Sequence, residues 1–185
     1  MNKLFQNDIN LDREQHIYQL SDHVDVNFTS VTTFIGDFFE EFDALKIASK
    51  LVAKNIKYMH MTVDELLNQW KESAAYGTLV HEELENFILH KTPVKEKKSI
   101  QGIEWLKKYI IKSDFEIYTE AVIYSKKLQL AGTIDLLLLD KKTGKYNIMD
   151  WKTSKRISSK AFKNKKGNHP ATKNMDGRLR GSDGK

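Results

Sequence analysis

Cysteine is absent from all 185 residues. That excludes a disulfide framework, a Cys-type zinc site and a Cys-ligated iron–sulfur cluster, and it fits a reducing compartment. Long apolar runs are missing as well: no stretch approaches the roughly 18 residues that a membrane span requires. The expectation is a soluble protein with no membrane partner. The opening MNKLFQNDINLDREQ carries Asp8, Asp12 and Glu14 and holds no apolar stretch. It therefore argues against a secretory signal or a mitochondrial presequence, and the expected setting is intracellular. There is no phosphate-binding loop either. The only near miss, DKKTGK, lacks the first glycine and the terminal Ser/Thr, so no intrinsic ATPase is read.

What is present is the composition of a globular chain, 40% hydrophobic and 30% charged, long enough for one domain with a real core. The net charge of +5 is uneven. Residues 160–185 hold eight Lys/Arg against two Asp, leaving the other residues close to neutral. The basic character thus belongs to the tail, which either engages phosphates or is simply solvated. Residues 1–27 read as irregular and polar. NFTSVTTFI then reads as a short strand or extended entry. From Gly36 the spacing of Phe38, Phe42, Leu45 and Leu51 predicts an amphipathic helix. Thr62 and Glu65 form a capping box that opens a helix through VDELLNQW, and helical character resumes in SAAYGTLVHEELENFILH. A further helix is read from Ser99, with Ile100, Ile103, Leu106 and Ile110 on its core face. The period then changes to two, predicting strands in FEIYTEAVIYS, LQLAGTIDLLLLD and KYNIMDWKT. Beyond Lys155 the apolar pattern fades, and residues 158–185 read as a basic Gly/Lys-rich disordered tail.

Two aspartates interrupt these strands. If Lys141–Gly144 is the turn, Asp140 faces Lys145. Moving five residues away from the turn along each strand then sets Asp135 opposite Asp150. Directly opposed side chains share a face, with Cβ atoms roughly 4.5–5.5 Å apart. Lys152, two residues on, points the same way as Asp150. Like charges facing each other are destabilising unless one is protonated or a cation lies between them. Hard divalent ions such as Mg²⁺ or Mn²⁺ prefer such oxygen-rich sites. Apolar residues on both faces of the strand around Asp135 predict a sheet covered on both sides. Gly77, His81 and Glu85 fall along one helix face, with Gly77 permitting close approach of another backbone. His81 is a candidate ligand and Glu85 an outer one, while Glu120 in YTEAVIY is a weaker candidate. HEELE is not the zinc-protease pattern, because its fifth position is Glu85.

Together, GTLVHEELE, EAVIY…LAGTIDLLLLD and YNIMDWKTSK resemble the PD-(D/E)XK nuclease superfamily. More narrowly they resemble RecB-type exonucleases whose preceding helix carries a metal-binding histidine, such as mitochondrial genome maintenance exonucleases and relatives in large DNA viruses. SVTTFI resembles a segment that precedes the core in such proteins. The resemblance covers roughly residues 28–157, taken as the nuclease domain. It implies an α/β fold (a mixed α+β sheet) with a restriction-endonuclease-like core, helices flanking a mainly three-stranded sheet. It makes Asp135, Asp150 and His81 ligands of Mg²⁺ or Mn²⁺, with the Trp151 backbone carbonyl as a further ligand. Lys152 becomes the lysine of D-x-K, catalytic together with the two aspartates. Glu85 and Glu120 match positions that are less uniformly acidic. Lys155 and Arg156 would hold the DNA backbone.

The implied activity is metal-dependent exonucleolytic hydrolysis of DNA phosphodiester bonds, on single strands or at ends, in replication, repair or recombination. Replication or repair proteins are the expected partners, and nucleus, cytoplasm or a viral replication site the expected setting. The family's closing helix, with its Q-x-x-x-Y motif, and final strand have no counterpart: no Gln follows Gln129 and no Tyr follows Tyr146. The expectation is a chain interrupted before those elements, with activity impaired accordingly. The alternative reading is a nuclease relic that serves as a nucleic-acid-binding or assembly module.

Overall fold

In the computed structural model the described residues are 8–13, 15, 17–22, 26–39, 41–111, 113–154, 172–173 and 179–180. The chain divides into two compact units. One comprises residues 1–41, 116–150 and 156–185, the other residues 42–115 and 151–155. Helices and a mixed, open sheet make this an α+β chain. No helix among the described residues is long and apolar enough to cross a membrane.

The first unit opens on an antiparallel strand pair. Where the sequence reads as irregular, β1 (Ile9–Asp12) pairs antiparallel with β2 (Ile17–Leu20), Ile9 opposite Leu20 and Leu11 opposite Tyr18. These four residues share a face by the two-residue period of a strand. Ile9, Tyr18 and Leu20 are buried with Ala131, and Phe28, Val122 and Tyr124 pack against them. The Tyr18 hydroxyl lies 3.1 Å from Thr133 Oγ1, and Tyr124 donates to Asp8 Oδ2 at 2.8 Å. Burial, and then the Asp8 carboxylate, push the Tyr124 phenol above its ordinary pKa, because both disfavour the phenolate.

The main sheet is centred on β5 (Leu130–Asp140). β3 (Thr29–Ser30) runs parallel to its start, Thr29 beside Leu130. Ser30 then caps α1 (Val31–Gly36), its hydroxyl accepting from the Thr33 amide. Gly132 lets α1 lie close, since a Cβ there would come within 3.2 Å of Val31 Cγ2. β4 (Phe115–Ser125) flanks β5 on the other edge. The four-residue turn between them permits only an antiparallel neighbour. β6 (Tyr146–Met149) pairs with the far half of β5. Leu136, Leu137 and Leu138 are all buried, so both faces of β5 are covered, as the apolar run predicts. The sheet has four strands where three are expected, the extra one being the parallel β3. Of the tail, only β7 (Thr172–Lys173) and β8 (Leu179–Arg180), an antiparallel pair, are described. The stretch where a closing helix and strand are expected to be missing lies largely outside the described residues.

The second unit is helical. Its α2 (Ala44–Lys54) starts eight residues later than the apolar spacing from Gly36 predicts. Asp43 is the reason: its carboxylate accepts from the Lys46 amide at 2.9 Å and fixes the helix start. Phe42, outside the helix, packs its ring on Trp70. α3 (Val63–His90) is one unbroken helix of 28 residues. Thr62 and Glu65 form the predicted capping box, with the Thr62 amide donating to Glu65 Oε2 at 2.7 Å. α4 (Lys97–Tyr109) begins two residues before Ser99, which is fully buried inside it. Glu83 on α3 accepts from the amides of Lys95 and Glu96 at the approach to α4. Leu66, Val80, Leu84, Ile103 and Leu106 are buried. Gly102 makes the α3–α4 approach possible, because a Cβ there would meet Leu84 Cδ2 at 2.9 Å.

Candidate active site

The turn between β5 and β6 fixes the register of the first unit. The Asp140 amide donates to Lys145 O at 2.9 Å, and the Gly144 amide donates to Asp140 O at 2.8 Å. Gly144 takes φ +68°, open to glycine without strain. The Asp140 carboxylate accepts from the Thr143 hydroxyl at 2.8 Å and the Lys142 amide at 2.9 Å. Those two bonds hold the Asp140 carboxyl below its ordinary pKa. From there the ladder runs Leu139–Tyr146, Leu138–Asn147, Leu137–Ile148 and Leu136–Met149. The register predicted from the turn thus holds as far as Leu136–Met149, and Asp135 and Asp150 are the next residues along the two strands. Asp135 is half-buried within β5, whereas Asp150 is the exposed first residue past β6.

Glu120 proves better placed than its sequence context suggests. A carboxylate oxygen of Glu120 lies within 4.8 Å of one from Asp135. Its backbone sits at φ +48°, in the middle of β4. A non-glycine residue in the left-handed region inside a strand breaks the pleat and re-aims its side chain. Next to it, the Thr119 hydroxyl donates to the Asp135 carbonyl at 3.1 Å. No local sequence signal announces this geometry, because a glutamate in a strand reads from sequence as a solvated one.

In the second unit, Trp151–Thr153 lies against α3 and α4. His81 Nε2 is 2.9 Å from the Trp151 carbonyl oxygen. Gly77, one turn earlier, gives the approach its clearance, since a Cβ there would be 3.3 Å from Thr153 Oγ1. Lys98 Nζ donates to the Thr153 carbonyl. Trp151 packs edge-on against Trp105, ring centroids 6.0 Å apart. The segment is thus held at residues 151 and 153, and Lys152 between them is exposed. Glu85 is half-buried one turn beyond His81. Lys98, Trp105 and Thr153 were not anticipated, because their role depends on which helices the segment meets. Lys155 and Arg156 lie outside the described residues.

Within the first unit Glu120 and Asp135 offer carboxylate oxygens, and within the second His81 and Trp151 offer an imidazole nitrogen and a carbonyl oxygen; each is a donor type that hard divalent ions accept. Adjacent ligands of an octahedral ion bound at about 2.0–2.1 Å stand about 3 Å apart. The 2.9 Å between His81 Nε2 and Trp151 O is an ordinary hydrogen-bond distance, and it is also compatible with that spacing. Comparison with family models, with curated proteins and with solved structures finds no match to this chain.

Proposed function

We propose that this chain is a divalent-metal-dependent deoxyribonuclease of the PD-(D/E)XK, RecB-like type, acting on single-stranded DNA or DNA ends in replication, repair or recombination. One observation carries the reading. Trp151 O and His81 Nε2, the two donors that sequence resemblance assigns to one ion, lie 70 positions apart in the chain and 2.9 Å apart in space. The β5–β6 register supports it independently, since it ends at Leu136–Met149 with Asp135 and Asp150 the next residues along the two strands.

In this reading Asp135, Asp150, the Trp151 carbonyl and His81 hold Mg²⁺ or Mn²⁺. The ion, when bound, supplies Lewis-acid stabilisation of phosphate charge and a more acidic water. Lys152 is exposed and carries a flexible ammonium. It orients the attacking water or neutralises charge that develops on the phosphoryl oxygens. Glu120 stands beside Asp135 as an additional carboxylate. Lys155 and Arg156 are assigned to the DNA backbone by charge alone.

The test is degradation of end-labelled single- and double-stranded DNA by the purified chain with Mg²⁺ or Mn²⁺, beside Lys152→Ala and Asp135→Asn. Metal-dependent cleavage lost in both variants upholds the reading. A folded wild-type chain that does not cleave overturns it in favour of a second reading, a binding or assembly module. That second reading has its own support. Among the described residues β6 pairs only with β5, and Ile148 on it is 70% exposed, a free edge suited to association.

A further inference from the structure

We propose that one flank of α4, with Trp151 beside it, is a binding track for single-stranded nucleic acid. The core face of α4 is Ser99, Ile103 and Leu106. Helical spacing puts Trp105 and Tyr109, four residues apart, together on a different flank. Their ring centroids are 5.8 Å apart, and Trp151 continues the row at 6.0 Å from Trp105. Tyr109 is 49% exposed at the outer end, and Lys108 Nζ lies 5.0 Å from its ring centroid. Trp151 ends the row one residue after Asp150 and one before Lys152 in the chain.

The surrounding charge selects the occupant. Residues 91–109 contain six lysines and two glutamates, and Lys97, Lys107 and Lys108 on α4 are all exposed. Lysines interleaved with aromatic faces are what a single strand requires: cations for its phosphates and rings for its unstacked bases. A duplex keeps its bases stacked inside and would use only the lysines. An acidic peptide would likewise leave the rings without stacking partners.

The inference rests on the nuclease reading only for the choice of DNA, so binding is measured without catalysis. The full chain is titrated against fluorescently labelled oligo(dT) in EDTA, with a duplex of the same length and a polyglutamate peptide as comparisons. Single strand should bind tighter than either. Tyr109→Ala should weaken it by roughly fivefold or more, the lower end for one stacked base. Tyr109→Phe, which keeps the ring, should bind like the wild type. Lys107→Ala with Lys108→Ala should lower the salt slope by up to about 0.7 per lost phosphate contact. Tyr109 and both lysines are exposed, and circular dichroism checks that each variant folds. Equal binding by Tyr109→Ala, or duplex or peptide binding as tight as single strand, overturns the track. Lys152→Ala binding normally without cleaving would concern catalysis alone, which keeps the two failures distinct.

Discussion

Leu136 lies opposite Met149, the last pairing of the β5–β6 ladder, and Asp135 and Asp150 are the residues that follow it along the two strands. One of these carboxylates is half-buried and the other exposed, so an ion there would be reached from solvent through Asp150. A ligand that binds only the folded state raises its stability by mass action. Mn²⁺ should therefore raise the melting temperature of the wild type, and Asp135→Asn and Asp150→Asn should each abolish most of that rise. Cleavage in both should fall by on the order of a hundredfold or more, the scale for losing one element of transition-state charge stabilisation. Scanning calorimetry with and without Mn²⁺ checks the first expectation. An unchanged rise in both variants would remove these aspartates from any metal site.

His81 has a structural task as well as a proposed chemical one, and the two are separable. With Nε2 protonated it donates to the Trp151 carbonyl, and His81→Ala would leave that part-buried oxygen without this partner. Losing such a bond costs about 0.5–1.5 kcal/mol. His81→Gln can restore a donor but not an imidazole. Glutamine should therefore recover much of the stability while Mn²⁺ affinity stays at least about tenfold weaker, since even outer partners of a metal site are worth that much. Urea unfolding and calorimetric titration read the two effects. Full Mn²⁺ affinity in His81→Gln would assign the histidine to anchoring alone.

The parts of this arrangement that could be read from the sequence share one property: they depend on local counting. The Asp140–Lys145 turn sets the ladder as far as Leu136 and Met149. The Thr62–Glu65 box and the clearance at Gly77 are equally local. The hairpin of β1 and β2 was also legible in principle, from the alternation Ile9, Leu11 and Tyr18, Leu20, but strands of four residues give little periodicity to detect. The start of α2 was misjudged because aromatic spacing outweighed a single capping residue, Asp43. What no local pattern reveals is tertiary: that Lys98 would reach the Thr153 carbonyl, that Trp105 would meet Trp151, or that Glu120 would leave the β region.

Glu120 allows a backbone test independent of activity. At φ +48° glutamate and alanine are both strained, whereas glycine is not. Glu120→Gly should therefore be more stable than Glu120→Ala by about 1 kcal/mol, the low end for a residue held in a sparsely populated region. Urea midpoints of the two variants measure this directly. If strand β4 were regular there, the order would reverse, because glycine weakens a strand interior.

The turn that sets the register should respond to acid in a defined direction. Hydrogen bonds, first from the Thr143 hydroxyl and then from the Lys142 amide, favour ionised Asp140 and lower its pKa in the folded chain. The folded state therefore binds this proton less readily than the unfolded chain does. Its stabilising contribution is complete above the ordinary aspartate range and is lost as pH falls through the lowered value. Asp140→Ala should be less stable than the wild type at neutral pH, and the gap should close on acidification through that window. Urea unfolding of both proteins from pH 7 down to pH 3 checks it, and a gap independent of pH would mean the carboxylate charge does not hold the turn. The consequence reaches the candidate site, because the register this turn imposes sets the ladder that ends one position short of Asp135 and Asp150. Asp140→Ala should accordingly show a smaller Mn²⁺-induced rise in melting temperature at neutral pH, although residue 140 is itself no ligand.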